Sequence, residues 1–94
     1  MDSLTIDGKP FEGADITLFG DCHLLLIRAA KGMLGCGYVS LAAAEKFGHA
    51  LAIVRGVSNY DEMLAAKVQE VSAAAVALGV KSGMTGREAL GLMS

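Results

Sequence analysis

Apolar and polar positions change rhythm about midway along this chain. Over the first 40 residues they alternate, or run together in short stretches closed by turn pairs, and this predicts strands. Leu4-Thr-Ile6 leads into Asp7-Gly8, a strong two-residue hairpin signal because both positions need positive φ. A longer strand from Phe11 to Phe19 alternates, with Ala14, Ile16 and Leu18 on one face and Asp15 and Thr17 on the other. Pro10 has no N–H to give a ladder, so that end of the strand is expected at an edge. Gly20-Asp21 fits a second tight turn. Cys22 to Ala30 is a near-continuous apolar run, the pattern of a strand covered on both faces. Lys31-Gly32 turns the chain again, and Met33 to Val39 returns.

Past Val39 the period lengthens. Ser40 is placed to cap a short helix over Leu41 to Phe47, with Gly48 as its stop. His49 to Arg55 reads as one more strand. If the short helix crosses over to a parallel neighbour, the sheet is mixed rather than antiparallel throughout. Ser58 or Asn59 then caps a long helix running to about Leu78. Its buried stripe is Leu64, Val68, Val71, Ala75 and Leu78, and Gly79 ends it. Thr85 and Glu88 form a capping box that opens a last helix, reaching Met93. The expected fold is α+β: a curved, mostly antiparallel or mixed sheet of about five strands, one long helix on a face, a short helix and a C-terminal helix.

Composition sets the scale. The 94 residues, read as one domain spanning 1–94, are 53% apolar and 19% charged. Typical domains have about 45–50% and about 25%. A body this small cannot hide that much apolar surface alone, so a homo-oligomer is expected. A net charge of −2 without any Lys/Arg run excludes nucleic acid as a main partner. No apolar stretch has the length for a bilayer span, so no membrane association is expected. The N-terminal residues lack the pattern of a secretory signal, and with two cysteines this points to reduced thiols in the cytoplasm.

Three separated motifs carry a resemblance. They are Lys31-Gly32 followed by Cys36-Gly37, then Arg55-Gly-Val-Ser58 leading into a helix, then Gly83-Met-Thr-Gly-Arg-Glu-Ala-Leu90. Together, and in this order, they resemble the YunC-like family of small uncharacterised bacterial and archaeal proteins. The likeness runs from about Leu4 to Met93. It implies an α+β fold and a cytoplasmic setting. It implies no activity and transfers no catalytic residue.

Candidate chemistry therefore rests on the residues. Cys36 stands between Gly35 and Gly37, which lack the Cβ that would bar close approach. As a nucleophile or redox thiol it needs access and a neighbouring base such as His23 or His49; otherwise it is a small buried hydrophobe. Arg87 follows the Thr85 cap at the positive end of a helix, where a cation is disfavoured and a compensating partner is required. That partner is either an Asp or Glu, or a bound anion. Arg55, with the loop Gly56-Val-Ser58-Asn59, is either an ordinary strand-to-helix turn or an anion cradle. Convergence of Arg55 and Arg87 would favour the anion.

No metal site is expected. Cys22, His23, Cys36 and His49 match no zinc spacing, and the adjacent Cys22 and His23 face opposite sides of a strand. No cofactor is expected either, since the glycines of Gly32–Gly37 do not make a dinucleotide fingerprint and no P-loop is present. Two functions stay open. One is an oligomeric protein holding a small anionic ligand near Arg55, Ser58 and Arg87. The other is a small thiol enzyme or redox protein using Cys36.

Overall fold

The computed structural model describes all 94 residues, Met1–Ser94. The Asp7-Gly8 pair makes the first turn, with φ of 53° and 80° at the two residues, and joins β1 (Asp2–Ile6) to β2 (Lys9–Thr17). Both central residues with positive φ give the turn whose twist matches the strands it joins. Pro10 stands opposite Thr5, while the pairing of β2 with β3 (His23–Arg28) begins only at Glu12. One side of β2 is therefore open at Pro10, as its missing donor demands.

β3 turns back antiparallel into the short β4 (Met33–Gly35). The crossover helix α1 (Leu41–Phe47) then carries the chain to β5 (Leu51–Ile53), which runs parallel to β4. Ser40 caps α1 by accepting from the amide of Ala43, and Gly48 closes it in the left-handed region at φ 70°.

The region from Asn59 to Leu78 is not one helix. α2 (Tyr60–Ala65) stops at Ala66, whose extended ψ of 151° breaks the helical path. Residues 67–72 are extended and serve as an edge. Val68 donates to Met84, Gln69 donates to Ile53, and β6 (Glu70–Val71) pairs with β5. Ser72 then caps a fresh helix, α3 (Ala73–Ala77). The open edge of β5 claims backbone that helix propensity alone assigns to a helix; tertiary pairing overrides the local preference. The sheet has six strands rather than about five, in the order β1-β2-β3-β4-β5-β6, mixed because only β4 and β5 are parallel.

α4 (Gly86–Met93) starts with the expected capping box. The backbone N–H and hydroxyl of Thr85 both donate to Glu88 and hold its carboxyl below the usual carboxylate range. α2 and α4 pack together over one sheet face, where Leu25, Ile27, Leu34, Val54, Met63, Leu90 and Met93 form the main core. Two glycines admit this close packing. The Tyr60 ring lies where a Cβ on Gly13 would fall, and the carbonyl of Met63 lies where a Cβ on Gly86 would fall. Tyr60 donates to Asp2, and burial, with this bond, raises its hydroxyl above the ordinary range. On the opposite face α1 covers β4 and β5 only, through Ala44 against Leu51 and Ile53. No helix is long and apolar enough to cross a membrane.

Candidate functional site

Three connections meet beside the carboxyl ends of the parallel pair β4 and β5. They are Asp21–His23 at the start of β3, Cys36–Tyr38 after β4, and Arg55–Ser58 after β5. Between them lies an open cleft of about 480 Å³. Parallel strands end here, so backbone groups and loop side chains gather at one rim.

Cys36 lies at the cleft floor, but its flanking glycines do not open it. It is 4% exposed. Its amide donates to the Leu25 carbonyl as a ladder bond, and its own carbonyl accepts from Val39 to close a turn. The carbonyl that would return the ladder bond is thus taken. The sulfur substitutes for it, accepting from the Leu25 amide at 3.3 Å, while the thiol points to the His23 carbonyl at 3.9 Å. Gly35 admits the side chain of Val39, not a ligand, and beside Gly37 the stem of Arg55 lies at ordinary contact distance.

The exposed thiol of the cleft is Cys22. Tyr38 lines the cleft with it, and the neighbouring Cys22 sulfur holds the tyrosine hydroxyl above its ordinary range. The sequence pattern gave no reason to prefer Cys22, because a cysteine at a strand start carries no motif. Native protein treated with a maleimide should therefore be modified at Cys22 alone, with Cys36 reacting only in denaturant; peptide mass mapping reads the two sites. Equal native labelling of both would contradict the closed setting of Cys36.

His23 is oriented by Asp15, with Nδ1 and Oδ1 2.6 Å apart. In the neutral ring this bond places the proton on Nδ1 and leaves Nε2 as an acceptor. Arg55 reaches across the turn after β4. Its Nη2 bonds Glu70 at 2.7 Å and its Nη1 approaches Gln69 at 3.5 Å. The guanidinium has further donors beyond these contacts, and it is half-exposed at 44%. The Ser58 amide already donates to Glu62 at 2.7 Å, which caps α2 together with Asn59.

Arg87 does not join this group. Its guanidinium bonds Asp7 in the first hairpin at 2.9 Å, so its compensating partner is a carboxylate of the same chain. Arg55, Ser58 and Cys36 share a cleft, whereas the expected meeting of Arg55 and Arg87 does not occur. The separation follows from the sheet: Arg87 reaches toward the β1–β2 edge, and Arg55 leaves β5 near the other.

The fold and cleft define a small mixed-sheet α+β protein with one crossover helix and a loop-lined site. Residues 35–93 match the family described as Domain of unknown function (DUF1805). The uncharacterized protein YunC of Bacillus subtilis (strain 168) is 32% identical over 91 residues, which is 93% of this chain and 89% of the relative. The crystal structure of a protein of unknown function, TA1206, from Thermoplasma acidophilum superposes with a TM-score of 0.91 at 34% identity, covering 99% of this chain and 90% of that one. The chain belongs to this DUF1805, YunC-like family.

Proposed function

We propose that this protein is a self-associating binding protein that receives the anionic group of a small molecule at Arg55. The supporting observation is the cleft itself: Arg55, its side chain half-exposed, lines an open space walled by three loops. Glu70 is the ion-pair partner of Arg55, and an incoming carboxylate or phosphate would share or exchange that contact. Asp21 lies on the same lining. It favours ligands that carry a hydrogen-bond donor as well as an anion. Catalysis has less support. The His23–Asp15 pair has no accessible nucleophile hydrogen-bonded to it, and the thiol of Cys36 is occupied by backbone.

A thermal-shift screen against phosphate, sulfate, small carboxylates and nucleotides tests the reading, since a ligand specific for the native state raises the midpoint. An anion should stabilise the native protein and Arg87→Ala alike and lose its effect on Arg55→Ala. If no anion moves the wild-type midpoint, or Arg55→Ala keeps the shift, Arg55 is not the receptor.

A further inference from the structure

We propose that the outer face of β2 and β3 is the surface on which two copies of this chain meet, face to face about a two-fold axis. This locates the self-association proposed above and is independent of the ligand at Arg55.

The register of the two strands builds the surface. Ala14 stands opposite Leu26 and Ile16 opposite Leu24, and residues directly opposite share a face. The alternate residues of the same strands, Phe11, Leu25 and Ile27, are buried in the main core, so this row points the other way. α1 shields the outward side only at β4 and β5, and no other helix reaches it. On this row Ile16 is left 53% exposed, and in the turn just beyond β2 Leu18 and Phe19 are also exposed. An antiparallel strand with one wet face should alternate apolar with polar residues. β3 is apolar on both sides over Leu24–Ile27, which fits a strand whose second cover comes from outside the chain.

The charges select the occupant. The row ends at Glu12 and Arg28, which stand opposite each other and are ion-paired. Ser3 and Thr5 on β1 lie beside this end, opposite Glu12 and Pro10. The patch is therefore an apolar centre with a polar margin carrying one charge of each sign. It offers no net charge to an acidic or a basic partner. It does match itself, because a two-fold rotation lays Glu12 of one copy against Arg28 of the other.

Sedimentation at about 10 µM, with circular dichroism as the folding control, tests this. The wild-type chain should sediment as a dimer. Ile16→Asp should remain folded and raise the dimer dissociation constant by about a hundredfold. Glu12→Arg and Arg28→Glu should each sediment as folded monomers, and an equimolar mixture of the two should restore the dimer. A wild-type monomer, an Ile16→Asp dimer, or a mixture that stays monomeric would each overturn the proposal. Arg55→Ala should dimerise normally, so loss of the anion site and loss of this interface read out separately.

Discussion

Replacing Gly86 by alanine should cost about 3 kcal/mol or more of folding stability, at or beyond the upper end for an overpacked site. Helix propensity alone argues for the opposite sign, since alanine is favoured over glycine by about 1 kcal/mol in a helix interior. Packing decides. A Cβ at this position would lie 2.1 Å from the Met63 carbonyl oxygen and 2.8 Å from a methyl of Leu34. The Leu34 methyl can turn aside. The carbonyl is main chain of α2, and α2 and α4 could separate only by opening the core between them. Gly91 supplies the control from the same helix. It is exposed, with nothing within 4 Å of its added Cβ, so Gly91→Ala should stabilise by about 0.5–1 kcal/mol. Urea unfolding midpoints compare the two variants directly. Equal effects of the same sign would show that the α2–α4 approach is looser than this geometry.

Ser72→Ala should be nearly as damaging, at about 3–5 kcal/mol if each stranded backbone group keeps its usual penalty. Ser72 is fully buried, and its hydroxyl makes three bonds that tie the start of α3 to the start of β5. It donates to the His49 carbonyl at 2.8 Å and accepts from the amides of Leu51 at 2.9 Å and Ala75 at 3.3 Å. Removing the oxygen strands the two buried amides of Leu51 and Ala75 and leaves the part-buried His49 carbonyl without this donor. Ser40 caps α1 by one comparable bond but is exposed, so Ser40→Ala should cost only about 1 kcal/mol. Ser72→Cys nearly keeps the volume but donates weakly, and it should recover little of the loss. A denaturation midpoint for Ser72→Ala close to that of Ser40→Ala would refute the three-way role.

The same serine marks the limit of what could be read from the residues. Burial was legible: Leu64, Val68 and Ala75 from the predicted stripe are all in the core. The backbone beneath them was not. No glycine or proline interrupts residues 59–78, and apolar residues every three or four positions fit a helix. The extended stretch at 67–72 exists because distant partners bind its main chain: Ile53 and Leu51 on one side, Met84 on the other. A local pattern does not encode a distant carbonyl. Where partners are local, the reading matched the structure. The Asp7-Gly8 turn, the Ser40 cap, the Gly48 stop and the Thr85–Glu88 box all act within a few residues.

The candidate site divides along the same line. That Arg87 requires a partner follows from its place at a helix start, but which carboxylate answers it depends on a hairpin eighty residues earlier. The gathering of Arg55, Ser58 and Cys36 around one cleft also depends on strand order. Tyr38 and Cys22 carry no motif, and only the fold brings them together.

The order of the six strands copies their order along the chain. Every pairing can therefore form between segments already close in sequence, and hairpin can add to hairpin without a wide conformational search. Two pairings must wait for an intervening helix: β4 with β5 across α1, and β5 with β6 across α2. Loop closure at these two steps is the main entropic cost of the sheet's topology, and the sequential order of its strands spares the chain the longer closures that a shuffled order would require.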